Sequence, residues 1–287
     1  LSKRIINIGL LAAVGSSLYG VVQISLLYCP RAEGFYSHSL TSGNNWALSL
    51  ILAYSLLIAK LWDSKKEMIF YIFTTIVTAI GILSSGSKGP LIYSIIIITV
   101  SNLIFLGKRG VFITLIIILS FTLGVIKSDT LQKRFYDIYK GFDNPYTSTG
   151  NRVVLWKHSL TIIKENIFFG IGSNFKKEIQ KKVNFPLKWK SHPHNAYLSI
   201  AVNNGIPALI ALIMIFISIY SKLLKVSDKN SDRGKFAIIA ILFLTLYLME
   251  GITENNFSDS EVKIFFWFTI GLLYNIIFFN KGNLQRG

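Results

Sequence analysis

One cysteine, four histidines and 14 acidic residues set against 30 basic ones are what this 287-residue sequence has little of. A lone Cys29 excludes an internal disulfide and carries no compartment signal. The shortage of histidine argues against a metal centre. Beyond His192 and His194 only His38 and His158 remain, neither at motif spacing, whereas zinc normally takes about three protein ligands in a definite geometry. No Gly-x-Ser-x-Gly segment is present, which removes the serine-nucleophile elbow. Internal repeats and low-complexity tracts are absent. The sequence begins at Leu1 with no initiator Met and no signal-peptide pattern before its first apolar run, so it is expected to lack upstream segments.

Apolar residues are what the chain has in excess. Hydrophobic residues make up 52% of it and the mean hydropathy is +0.50, more than a soluble core of this size hides. The apolar runs are continuous rather than alternating and about 18 residues or longer, enough to cross a hydrocarbon layer of about 30 Å as helices; a membrane β-barrel is excluded. An all-α polytopic membrane protein with about eight spans is predicted. The spans fall near Ile5–Tyr28, Asn45–Leu61, Met68–Leu83, Pro90–Leu106, Val111–Ile126, Ile206–Leu224, Phe236–Ile252 and Val262–Phe279.

The formal net charge of +16 says less than its distribution. Lys3/Arg4, Lys60/Lys65/Lys66, Lys108/Arg109, Lys222/Lys225/Arg233/Lys235 and Lys281/Arg286 all fall on one side if every span crosses once. By the positive-inside rule that side is cytoplasmic. Residues 31–44, 84–89, 127–204 and 253–261 then share the outer face. The expected organisation is five spans in 1–126, an external catalytic loop in 127–204 and three spans in 205–287. Between Lys127 and Lys190 the loop holds 13 Lys/Arg against 5 Asp/Glu. Nucleic acid is not the expected partner; an anionic lipid headgroup or a diphosphate is. Within the loop, Val153, Trp156, Leu160 and Ile163 recur at helical spacing, predicting an amphipathic helix over Arg152–Ile163.

Chemistry concentrates in Ser191–Pro207, where Ser-His-Pro-His-Asn runs into an apolar helix. Asn195 is placed to cap that helix; His192 and His194 are either interfacial residues or a functional pair, since titratable groups at a membrane mouth mark function by default. Lys88, in Ser84–Pro90, either snorkels to the interface or holds an anion with nearby backbone N–H groups. Among Glu250, Glu254, Asp259 and Glu261, the pair Ser258/Glu261 fits a capping box opening the last helix. Glu250, at the edge of a span, is a candidate partner for a site Arg or Lys.

These pieces together resemble the O-antigen ligase family, which shares a domain with O-antigen polymerases. Arg31-Ala32-Glu33-Gly34-Phe35 is similar to its Arg-x-x-Gly-aromatic motif and Ser85-Gly86-Ser87-Lys88-Gly89 to its Ser-Arg-Gly segment. Arg152 through Trp156, followed by Phe169-Gly170-Ile171-Gly172, resembles its Arg-x-x-x-Trp helix and Gly-x-Gly turn, and His192-Pro193-His194-Asn195 resembles its His-x-His-Asn signature. Lys88 departs from the usual Arg, and Asn203 from a commonly acidic residue. The resemblance implies a GT-C-type membrane glycosyltransferase of the bacterial inner membrane with no metal or other cofactor. It would transfer a glycan with inversion, on the periplasmic face, from undecaprenyl diphosphate to an acceptor hydroxyl. The acceptor is lipid A-core for a ligase or a second lipid-linked glycan for a polymerase. His194 is implied as base with His192 as substitute or neighbour, Arg152, Lys88 and Arg31 as diphosphate-binding cations, and Asn195 and Glu250 as supporting residues. A transporter of the lipid-linked glycan is the competing reading; it would gather polar residues near the bilayer midplane.

Overall fold

The computed structural model describes residues 1–142, 144–183 and 192–279. Ser191, Lys188, Lys190 and the pair Lys281/Arg286, which entered the sequence reading, lie outside the described residues. Those residues form α-helices and one 3-10 turn, with no strand among them. In chain order the helices are α1 Ser2–Ser25, α2 Ser39–Ile58, α3 Lys65–Ser85, α4 Lys88–Leu106, α5 Lys108–Ile126, α6 Asp129–Gly141 and α7 Ser148–Glu165. Then come α8 Phe175–Lys182, α9 Ala196–Asn204, α10 Ile206–Leu224, α11 Asp232–Thr253 and α12 Ser260–Phe278. The chain divides into two compact units. One comprises Leu1–Leu131, Ser221–Glu250 and the described residues from Ser260; the other comprises the described residues of Gln132–Tyr220 together with Gly251–Asp259.

Among the described residues seven helices, α1, α3, α4, α5, α10, α11 and α12, are long and apolar enough to cross a membrane. The eighth expected span, Asn45–Leu61, lies largely within α2, which is long enough at 20 residues but falls outside that apolar set. The reason is visible in its surroundings. Every residue of α2 except Leu40, Leu57 and Ile58 is buried, packed among α1, α3, α4 and α12 of the first unit. A helix sheathed in protein need not be lipophilic along its whole length. The helix also starts six residues earlier than the hydropathy reading placed it, because His38 caps it through Nδ1, accepting from the Leu40 N–H at 3.1 Å.

Several of its polar residues bond locally or across to neighbours, while Asn44 Oδ1, Asn45 Oδ1 and Trp46 Nε1 are buried without a hydrogen-bond partner among the described residues. Ser49 Oγ donates to the Asn45 carbonyl at 2.8 Å, and Asn45 Nδ2 to the Thr41 carbonyl at 3.1 Å. Further along, Tyr54 OH donates to Asn102 Oδ1 of α4, and Asn102 Nδ2 donates to Thr114 Oγ1 of α5 at 2.9 Å. Trp46, fully buried, fits because two helix positions facing it are glycine. A Cβ at Gly20 would lie 2.8 Å from its ring and one at Gly81 3.0 Å.

Contacts at the helix ends group several loops of the first unit. At one end Lys3 Nζ lies 3.0 Å from both Asp63 and Glu67, and Ser2 Oγ donates to Asn275 Oδ1 at 3.2 Å. At the other, the Ala32 N–H donates to the Ser84 carbonyl at 3.0 Å and Ser37 Oγ to Glu261 Oε2 at 2.8 Å. With α12 starting at Ser260, Ser258 lies outside the helix it was expected to cap, and Glu261 reaches Ser37 on the α1–α2 connection.

In the second unit, α7, α8 and α9 share one core. Leu155, Ile162 and Ile163 of α7 meet Phe175 and Ile179 of α8 and Ala201 and Val202 of α9. The expected helix over Arg152–Ile163 is present inside α7, but its buried stripe differs from the expected one. Leu155, Ser159 and Ile162 are buried while Leu160 is 52% exposed.

The Tyr54–Asn102–Thr114 bridge generates a test. Asn102→Ala strips buried hydroxyls of their partner, at a cost of about 1–3 kcal/mol for a buried group left unsatisfied. A lowered unfolding midpoint in detergent is expected, and a midpoint equal to wild type would contradict the bridge.

Candidate functional site

The second unit brings Arg152, His192, His194 and Asn195 together around a carboxylate that the sequence reading passed over, Glu254. Thr147 caps α7, its Oγ1 accepting from the Gly150 N–H at 3.0 Å, which sets Arg152 in the second turn. Trp156 follows one turn later on the same side of the helix. That spacing explains the Arg-x-x-x-Trp motif. Arg152 Nη2 pairs with Glu254 Oε1, and Trp156 Nε1 donates to the Pro193 carbonyl at 2.8 Å. One helix face thereby holds both the carboxylate and the histidine turn.

Asn195 holds the turn from its other end. As expected it caps the following helix, Oδ1 accepting from the Leu198 N–H at 2.9 Å. Its Nδ2 donates to the Ile252 carbonyl at 2.9 Å, tying the start of α9 to the segment that carries Glu254. Between these anchors His194 adopts φ +52°, a left-handed conformation that residues with a Cβ rarely hold without support.

The two imidazoles have different environments. His192 Nδ1 accepts from the His194 backbone N–H at 3.1 Å, so the ring is neutral with its proton on Nε2. Burial, reinforced by His194 and Arg152 and opposed by Glu254, pushes its pKa down to about 4. The rings lie 4.2 Å apart, centroid to centroid. His194 Nδ1 lies 3.5 Å from Glu254 Oε2, at the outer limit of a hydrogen bond. Its Nε2 is buried and without a hydrogen-bond partner among the described residues. Burial pushes the Glu254 carboxyl upward, but Arg152 and then His194 outweigh it and hold it below the usual carboxylate range. The result is a row of guanidinium, carboxylate and imidazole ending on an uncommitted ring nitrogen. A carboxylate on Nδ1–H fixes the tautomer that leaves Nε2 a proton acceptor.

Glu250, favoured from the sequence, is fully buried near the C-terminal end of α11, one turn before Glu254. The signal that separates the two was where α11 stops: at Thr253, so that Glu254 is the first residue beyond the helix. Among the described residues no three His, Cys, Asp or Glu side chains are placed to hold a metal ion.

Arg31 and Lys88 belong to the first unit. Arg31 Nε donates to the Ser85 carbonyl at 2.7 Å and Nη2 to Ser87 Oγ at 3.1 Å. Ser87 Oγ in turn donates to the Ser39 carbonyl at 3.0 Å. The turn between α3 and α4 passes through Gly86 at φ +62° and lies so close to α2 that a Cβ at Gly43 would sit 2.8 Å from Ser87. Arg31 thus shapes this turn, and Lys88 is the first residue of α4, half-buried.

Helices long enough to cross a bilayer define a polytopic membrane protein, and its second unit carries a buried Arg/Glu/His row. The O-antigen ligase family model matches residues 73–213, so this stretch of the protein is similar to the domain of that family. The match takes in Lys88, Arg152, Trp156 and the His-x-His-Asn turn, and leaves Arg31 and Glu254 outside it. An uncharacterized protein of Haemophilus influenzae is 26% identical over 248 residues, which cover 78% of this chain and 61% of that protein. The chain therefore spans about three-fifths of the length of that relative.

The His192 environment predicts a pH dependence. Its folded-state pKa of about 4 lies below the ordinary value of about 6.5. The unfolded chain thus binds the extra proton first, and stability falls as pH drops from about 6.5 toward 4. His192→Asn, whose Oδ1 can still accept from the His194 N–H, is expected to flatten the fall in unfolding midpoint between pH 7 and pH 5. An unchanged slope would show that His192 is not the group responsible.

Proposed function

We propose that this protein is a membrane glycosyltransferase of the O-antigen ligase type, facing the periplasm of a bacterial inner membrane. The reaction is transfer of a glycan from undecaprenyl diphosphate to an acceptor hydroxyl on lipid A-core. The observation that carries the reading is His194, oriented through Nδ1 by Glu254 and with Nε2 uncommitted. The acceptor O–H delivers its proton to Nε2 as the oxygen attacks the anomeric carbon from the face opposite the diphosphate, whose C–O bond breaks with inversion. Glu254 holds the tautomer and stabilises the imidazolium that forms. His192, too weakly basic and with Nδ1 engaged, is the orienting neighbour rather than the base.

Negative charge builds on the leaving diphosphate, and fixed donors aimed at it are the usual means of stabilising such charge. Arg152 fits this role: one of its five N–H donors meets Glu254, and a guanidinium's remaining donors match phosphate oxygens. Lys88 stays in the proposal as a diphosphate-binding cation on the strength of its motif. Arg31 is given the lesser part of holding the turn before Lys88. Glu254, not Glu250, takes the supporting role, and Asn195 keeps the turn in place. A polymerase would use the same chemistry with a second lipid-linked glycan as acceptor.

Purified protein supplied with a defined lipid-linked donor and each acceptor in turn tests both levels. Transfer to lipid A-core supports the ligase, and transfer only to a second lipid-linked glycan gives the polymerase. His194→Ala is expected to lower the transfer rate by about 10²–10⁴, the usual worth of a general base. Glu254→Gln should lower it as well and Arg152→Ala abolish it, all without loss of protein from the membrane. Undiminished transfer by His194→Ala would overturn the mechanism.

A further inference from the structure

The α7–α8 connection contains three consecutive exposed apolar residues, and neither the fold nor the proposed chemistry uses their side chains. Ile167 is 47% exposed, Phe168 70% and Phe169 90%. In water such a group is unfavourable, and contiguous exposed apolar surface marks an interaction site. The backbone beneath it is firmly held. The Ile206 N–H donates to the Ile167 carbonyl at 2.8 Å and the Ile171 N–H to the Val202 carbonyl at 2.8 Å. Gly170 and Gly205 permit this close seating. Gly170 and Gly172 have φ +64° and +62°. A Cβ at Gly170 would lie 2.5 Å from the Val202 carbonyl oxygen, and one at Gly205 2.1 Å from that of Phe168.

The first residue of α10 is the one that holds Ile167. Since α10 is 19 residues long and apolar enough to cross a membrane, its first turn lies at the boundary between headgroups and acyl chains. Ile210, Ile213, Met214 and Ile217 further along it are exposed, as lipid-facing residues would be. The phenylalanines are therefore fixed at the depth where the bilayer begins. Exposed Lys164, Lys176 and Lys177 flank them in sequence, and an apolar tip with cations beside it is suited to an anionic membrane surface. We infer that Ile167–Phe169 is a lipid anchor: Phe168 and Phe169 insert among the acyl chains of the leaflet at the start of α10, and the adjoining lysines meet its anionic headgroups. The rigid seating makes this anchor set how far the His-Pro-His turn, at the opposite end of α9, stands from the bilayer. The inference is independent of the reaction assigned to the site.

The test uses the whole chain with Cys29→Ser, so that a single introduced cysteine carries an environment-sensitive NBD label. Labels at Phe169→Cys, at Phe168→Cys and, as a solvent control, at Lys229→Cys are compared in nanodiscs of phosphatidylcholine with phosphatidylglycerol. Each variant is used only if it elutes as a single folded species. Blue-shifted emission at 168 and 169, quenched by lipid with a doxyl group near the headgroup end of the chain and not by aqueous iodide, is expected. Iodide quenching equal to that of the control would overturn the anchor. A blue shift insensitive to doxyl lipid would overturn it too, showing the phenylalanines covered by protein, such as a second copy. Lys176→Glu with Lys177→Glu should weaken doxyl quenching in the anionic discs and leave it unchanged in pure phosphatidylcholine.

Discussion

A carboxylate cut off from bulk water must be shared among positive groups and donors, and Glu254 is shared between a guanidinium and an imidazole. Its partners lie 102 and 60 residues away in sequence, so one buried charge fixes three distant chain segments against one another. Removing either neighbour would leave that charge uncompensated, a larger loss than the pair's own net worth. Conversely, the charge is what makes the imidazole directional. Nδ1 is turned toward the carboxylate and Nε2 is left over.

The backbone around the histidines is organised to the same end. Pro193 is held by Trp156 from α7, Asn195 by its cap and by the Ile252 carbonyl, and His192 accepts from the N–H of His194 itself. His194 can therefore persist in a left-handed conformation that local preference would not choose. Strain of this kind lasts only where the surroundings over-determine it, and these contacts supply that support.

Much of this was legible in the sequence. Continuous apolar runs placed the spans, the Asn195 cap was read from its position before an apolar run, and Arg152 and the His-x-His pair do meet in space. What escaped had physical causes. Glu250 and Glu254 differ by one helical turn, and only the helix end at Thr253 decides which of them leaves the helix. The helix around Trp156 has apolar residues at Val153, Val154, Leu155, Leu160, Ile162 and Ile163, so two stripes were available, and contact with α8 and α9 selects the one through Leu155 and Ile162. The start of α2 was missed because serine, threonine and asparagine read as loop, although a protein interior can accommodate them through i–4 carbonyls and neighbouring side chains.

That same helix bears on how the chain reaches its place. A segment opening Ser-Leu-Thr-Ser-Gly-Asn-Asn partitions poorly into hydrocarbon on its own, since lipid offers nothing to its amides and hydroxyls. Its neighbours α1, α3, α4 and α12 are each long and apolar enough to cross a membrane, and together they cover it. The polar first turns of α2 thus find their burial only once the surrounding helices are packed against them, which makes the assembly of this unit collective.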